Sequence, residues 1–376
     1  MTTPLAITRR QFTASAILGG ALFPSLKAKA DEPKSAHHLY VASPGIRDYL
    51  EYGGHGILVF DIDNEHKFVK RIPSAAGKDE TGKPRNVKGI CASGVTKRIY
   101  VSTTHSLSCF NMDDGALHWE KSYEGGCDRM SIKPDGSELF VPSFEKDHWN
   151  VIDGKDGSVI TKVEPKSGAH NTVFGPMGKY VYLAGLRLNI LSLLDPVTHK
   201  IAKTIEPFTA PVRPLTVSGD ESLVYANVNS LLGFEIGDVA SGKVIRRVAV
   251  EGYKQGPVKR HGCPSHGIGM TPDGSEIWVC DAFNQRLHLF SSGTDPKVLD
   301  SIKLRDEPGW IKFDIDGKFA YPSTGEVIDV KTRKIVANLT DEAGRAVQSE
   351  KMIDIKFDGP NPQIGDQFGR GRAVAR

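Results

Sequence analysis

The sequence predicts an all-β fold, a closed ring of seven four-stranded antiparallel sheets, and three observations lead there. The first is composition: 39 Gly and 22 Pro among 376 residues supply the positive and fixed φ angles that many tight turns require. At 39% hydrophobic and 25% charged residues, a disordered or collagenous chain is excluded. The second is a repeat. A glycine turn followed by a short strand ending in an aromatic recurs as Pro134-Asp135-Gly136 to Phe140, Met177-Gly178 to Tyr182, Pro272-Asp273-Gly274 to Trp278 and Asp316-Gly317 to Tyr321, with degenerate copies ending at Tyr40, Tyr100 and Tyr225. The gaps between these aromatics are 60, 40, 42, 43, 53 and 43 residues, which is the period of propeller blades. The third is the set of four short apolar runs within each copy, as at 268–270, 277–280, 287–290 and 298–304, too short for helices and rich in Val, Ile and aromatics. One such sheet cannot bury both its faces, whereas seven arranged radially can. The expected fold is therefore a seven-bladed β-propeller; a pair of β-sandwiches needs no sustained repeat.

Taken in order, residues 1–30 read as an export signal. Arg9, Arg10 and Phe12 stand ahead of a mildly apolar run from Ala14 to Leu26 and a small-x-small site at Ala28-Lys29-Ala30, a three-part secretory pattern of the twin-arginine type. Thirteen apolar-leaning residues are too few to span a bilayer, so the mature chain is expected to start near Asp31, to carry no membrane span, and to reside in a periplasm or outside the cell. Residues 31–359 hold the propeller. The first aromatic, Tyr40, leaves no room for an inner strand before it, while Met352 to Gly359 is an unmatched strand and turn near the other end. The ring is thus expected to close with strands from both termini. Residues 360–376 have no apolar pattern and are expected to be a disordered tail.

Charge narrows the partners. Removing Arg9, Arg10, Lys27 and Lys29 from the 48 basic residues leaves 44 against 45 acidic ones, a balance without the basic stripe that nucleic acid requires. Nucleic acid is therefore excluded, and a monomer is expected. Five cysteines (Cys91, Cys109, Cys127, Cys263, Cys280) form no CxxC or CxxCH spacing, so neither a zinc ribbon nor a covalent haem is specified; Cys127 and Cys263 fall in expected loops.

The strands carrying the aromatics read Tyr40-Val41-Ala42-Ser43, Tyr100-Val101-Ser102-Thr103, Phe140-Val141-Pro142-Ser143 and Trp278-Val279-Cys280-Asp281. Over roughly residues 37 to 359 the chain resembles the exported YVTN-type β-propellers, a family of diverse roles, and more distantly the lactonase-type propellers, whose paired-His signature is not evident at Pro264-Ser265-His266-Gly267. The resemblance implies a fold and leaves function to the site.

The insertions that lengthen the repeat, 44–56, 73–87 and 252–265, fall on one face, where long loops on a rigid scaffold commonly bind. Twelve positions before each aromatic, at the entrance of each inner strand, stand Lys88, Asp128, His170, Arg213, His266 and Gly309, with Lys351 from the closing strand. They are expected to ring the channel mouth. Three cations against one carboxylate favour an anionic ligand, held by Lys88, Asp128, His170, Arg213, His266 and Lys351. Two alternatives stand beside a small anion or a protein partner. One is a hydrolase or lyase with His170 or His266 as general base and Arg213 facing a developing oxyanion. The other is a divalent metal on His170, His266 and Asp128, disfavoured by the ring charge; no cofactor is otherwise expected. His105, His148, His261, Trp149 and Trp310 are further candidates for the same face. Asp61, Asp153, Asp195, Asp238 and Asp329, near third-strand ends, are read as turn formers, and the basic stretch 252–262 as a loop over the mouth.

Overall fold

The computed structural model describes Met1, residues 36–73 and residues 77–374; the export signal with Arg9, Arg10 and Phe12 lies outside the described residues. Seven antiparallel sheets form a seven-bladed propeller, as the repeat predicts. Blade 1 is closed by both ends of the chain. Its second strand, Ala36–Ser43, pairs on one side with Gly56–Asp61 and on the other with the C-terminal inner strand Met352–Phe357, Tyr40 facing Ile353. The inner strands of blades 2 to 7 are Val87–Ser93, Ser131–Ile132, Asn171–Phe174, Val212–Val217, Ile268–Met270 and Ile311–Phe313. Among the described residues the single helical element is a short 3₁₀ turn, Leu50–Tyr52, and no helix is long and apolar enough to cross a membrane.

Four of the seven repeated aromatics, Tyr100, Tyr182, Tyr225 and Tyr321, have a mechanical role: each ties its blade to the next. The Tyr100 hydroxyl donates to the Gly154 carbonyl at 2.8 Å, Tyr182 meets Glu221, Tyr225 donates to the Gly293 carbonyl, and Tyr321 meets His66 at 2.9 Å, each pair joining consecutive blades. Burying an aromatic body while its polar tip finds a partner satisfies both requirements at once. The outermost strands, by contrast, are largely exposed, as in Leu117–Ser122. All seven blades carry a register shift between third and fourth strands, at Val59/Phe60, Cys109/Phe110, Val151/Ile152, Leu193/Leu194, Ile236/Gly237, Leu289/Phe290 and Val327/Ile328, the kind of bulge that increases strand twist. The five recurrent aspartates just beyond the third strands are turn formers, as expected: Asp153 accepts from the Lys155 N–H, Asp195 from Val197 and Thr198, Asp238 from Ser241, Asp329 from Thr332, and Asp61 from Asp63.

The C-terminal tail departs from its expectation. Instead of hanging free, residues 361–374 enter the channel from the short-turn face and touch every blade. Gln363–Ile364 pairs with blade 1. Gln367 accepts from the Ile90 N–H, donates to the Met130 carbonyl at 2.8 Å, and offers its own carbonyl to Trp310 Nε1, reaching blades 2, 3 and 7. The Gly369 carbonyl accepts from Thr216 Oγ1 and the Met270 N–H of blades 5 and 6, and Arg370 donates to the Phe174 carbonyl of blade 4. Phe368 is buried in the core beside Trp310. Hydrogen bonds that each use at least one backbone group, the Gln367 and Arg370 side chains and one buried aromatic hold the plug, and none of these leaves a periodic signature in sequence.

Candidate functional site

At the long-loop face the channel opens as a cavity of about 320 Å³. Lys88, Asp128, His170, Arg213, His266 and Lys351 all line it, each set at or just ahead of an inner strand, where the twelve-residue offset puts it. Gly309 adds no side chain; a Cβ there would overlap the His261 imidazole, so the seventh position is filled from the crossing loop. Three residues missing from the expected ring complete it: Arg129, His261 and Glu350. Arg129 and Glu350 are chain neighbours of ring positions Asp128 and Lys351, which is the signal that could have found them.

Two buried carboxylates organise the side chains. Asp128 accepts His170 Nδ1 at 3.0 Å and its own neighbour's N–H from Arg129, with Lys88 Nζ 3.3 Å away. Burial alone would raise this carboxyl, but Lys88, His170 and Arg129 outweigh it and hold it well below the ordinary range. Glu350 accepts from Lys351 Nζ at 2.7 Å, Arg129 Nη2 at 3.1 Å and His261 Nδ1 at 3.0 Å; against the opposing effect of burial, Lys351 and His261 hold it well below its usual range. Arg129 lies flat over Trp310, 3.3 Å from the ring centroid, so Trp310 is floor beneath the site and Phe368 of the plug lies beneath Trp310.

Burial favours the neutral form of His170 and His266. Burial drives His266 well below its usual range and lowers His170 too, although Asp128 pulls the latter back. Their tautomers follow from their partners. An ionised carboxylate and a backbone carbonyl can only accept, so His170 carries its proton on Nδ1 toward Asp128, and His266 on Nδ1 toward the Gly309 carbonyl at 3.2 Å. His170 Nε2 is buried with no protein partner. Two other buried cavity-lining groups are equally unpaired, Asn171 Nδ2 and Asn86 Oδ1. Arg213 is held at Nε by Asn229 Oδ1, 2.5 Å, and its guanidinium lies under Gly262, where any Cβ would crowd it. Among the described residues no carboxylate pairs with it.

Six basic side chains (Arg47, Lys88, Arg129, Arg213, Arg260, Lys351) and three carboxylates (Asp128, Glu145, Glu350) line the cavity; burial pushes Lys351 down to about 7, and the balance stays positive on the other five basic groups alone. The metal set disfavoured in the sequence reading, His170, His266 and Asp128, is not brought together as a ligand group among the described residues; His261, His266 and Glu350 are the donors that converge there, their ligand atoms within 4.8 Å of one another. Glu350 is already saturated by two cations and an imidazole, and a further cation would meet that field at low dielectric. Of the remaining candidates, Trp149 is core, its Nε1 donating to Thr172 Oγ1 at 2.6 Å, and His148 is buried outside the cavity lining. His105 does not line the cavity. The loop 252–262 is strapped down at Arg260, which reaches Asp306, Gln348 and Tyr52. Cys127 and Cys263 are buried free thiols, and burial pushes the Cys263 thiol up to about 12.

No protein-family model matches the chain, and no curated protein matches it. Among solved structures it is similar to a chain in a crystal structure of a mitotic checkpoint complex, at TM-score 0.60 and 12% identity over 84% of this chain and 96% of that one. It also matches a chain of Kuenenia stuttgartiensis hydrazine synthase at TM-score 0.44 and 14% identity, over 66% and 94%. At 12% identity the first likeness shows the fold alone.

Proposed function

We propose that this chain is an exported propeller of the YVTN type whose channel mouth binds a small anion. The observation that carries the reading is Arg213: a guanidinium lining a positively charged cavity without a carboxylate of its own. A carboxylate or phosphate would supply one, and Arg is suited to bidentate capture of either. Native mass spectrometry of protein purified from its own periplasm is expected to retain a small anion that the Arg213→Ala variant releases, with affinity falling at least fivefold, equivalent to about 1 kcal/mol for a charge-assisted bond. A stoichiometric metal, or equal retention by the variant, would overturn it. An empty wild type would point to a protein partner on the same face. Export rests on Arg9, Arg10 and Phe12; changing both arginines to lysine is expected to leave precursor in the cytoplasm, and normal processing would indicate another route.

The Asp128–His170 pair favours a second reading. An imidazole oriented by a buried carboxylate, with its other nitrogen unprotonated and unpaired, has the arrangement of a general base, so a bound lactone, ester or lyase substrate could be turned over with Arg213 facing the oxyanion. Turnover lost in His170→Ala with binding retained would establish it, and normal kinetics there would remove His170 from that role.

A further inference from the structure

Outside the channel mouth, blade 6 gathers an acid, an imidazole and a hydroxyl on one face. Its second, third and fourth strands are Glu276–Asp281, Arg286–Ser291 and Val298–Lys303. Register sets Asp281 opposite Arg286 and His288 opposite Ser301, and side chains alternate along a strand, so Arg286 and His288 project from the same side. Leu287 and Leu289 point the other way, into the core shared with blade 7. The polar side therefore faces blade 5, whose Phe234 meets Phe290.

The hydrogen bonds on that side run in one direction. A carboxylate can only accept, so His288 donates Nε2–H to Asp281 Oδ2 at 2.9 Å. Nδ1 then holds a lone pair, and the Ser301 hydroxyl donates to it at 3.1 Å. Asn284 steadies the carboxylate, giving Nδ2–H to Oδ2 at 2.7 Å and its backbone N–H to Oδ1 at 3.0 Å. Arg286 donates Nε–H to Ser301 Oγ at 2.7 Å, a positive charge beside the oxygen where negative charge develops. A hydroxyl in reach of a base that a third group orients is the arrangement that activates a serine. Asp281 and His288 are buried, whereas Ser301 is half-buried at the outer rim. There Tyr253 lies over the imidazole, ring centroids 4.5 Å apart, with its hydroxyl 3.5 Å from Ser301 Oγ. Phe283 lies against Gly256 of the same loop, and both aromatic side chains are exposed.

We infer that blade 6 carries an esterase site separate from the channel mouth, with Ser301 as nucleophile, His288 as general base and Asp281 as the positioning residue. Its substrate class is a small-acid ester of an aromatic alcohol, whose ring can rest on Tyr253 and Phe283. Ser301 Oγ bonds to the acyl carbon as its proton passes to His288 Nδ1 and the carbonyl pair moves onto oxygen. Collapse breaks the bond to the alcohol, which leaves with that proton, and water reverses the sequence to release the acid and restore the serine.

Two measurements on the full chain test the site. A fluorophosphonate, which phosphonylates an activated serine with loss of fluoride, is expected to leave its adduct on Ser301 when the peptides are mapped by mass spectrometry. Hydrolysis of 4-nitrophenyl acetate is expected to fall about a hundredfold in Ser301→Ala and about tenfold or more in Asp281→Asn, the latter in kcat with KM unchanged. An unlabelled Ser301 in the wild type overturns the inference, and so does hydrolysis that Ser301→Ala leaves unchanged. Labelling is read on the wild type, so the test holds even where a variant does not fold.

Discussion

The two ends of the channel are built from the same seven inner strands and solve opposite problems. At the short-turn end residues 361–374 satisfy what they meet: Gln367 uses its side-chain oxygen, its side-chain nitrogen and its carbonyl, and Gly369 offers one carbonyl to two blades. At the long-loop end the charges pair among themselves, yet Arg213 lacks a carboxylate and His170, Asn171 and Asn86 keep buried atoms without partners. Buried polar groups are paired as a rule, and a guanidinium without a carboxylate is the exception that motivates the proposed anion site. One end closes the channel with the chain's own residues, and the other leaves a charged cavity open.

That contrast can be broken most forcefully at the plug. Phe368→Ala removes a buried aromatic from a core it shares with Trp310 and is expected to destabilise by about 3–5 kcal/mol, read as a fall in the urea midpoint; a loss below about 1 kcal/mol would mean the tail is merely draped. Asp128→Asn is expected to cost less, about 1.5–3 kcal/mol near neutrality for a charged hydrogen-bond acceptor, and its cost should depend on pH. Because the Asp128 carboxyl is held below its ordinary value, its contribution is complete above pH of about 4 and declines as the pH falls toward the folded value. Urea midpoints of wild type and variant should therefore converge below pH of about 4, and a constant gap would remove the carboxylate from the stability of the mouth. The smallest effect is expected for Arg213→Ala: a change within about 0.5 kcal/mol in stability, although the same variant loses the anion.

How much of this was legible follows from what a repeat can carry. Six of the seven ring positions were found by counting back from Tyr100, Phe140, Tyr182, Tyr225, Trp278 and the closing strand, because strand pairing fixes register and register fixes which side chains reach the mouth. Arg129 and Glu350 were missed because a fixed offset selects one residue per blade, and the residue after Asp128 and the residue before Lys351 also turn inward. His261 comes from a loop whose length breaks the repeat, so no counting places it in the space that Gly309 leaves. The tail was misjudged for a different reason: one buried Phe and a series of backbone hydrogen bonds can hold a segment that shows neither of the periodicities by which elements are recognised.

The plug also has a consequence for the order of events during synthesis. The inner strand of blade 1 and the segment that bridges all seven blades leave the ribosome after blades 2 to 7. Blades 2 to 7 can pair their strands as they emerge, but blade 1 waits for residue 352 and the channel floor for residue 374. A chain cut short anywhere in its last two dozen residues would keep nearly all its blades and still lack a latch. The ring can thus close only after every other blade has been made.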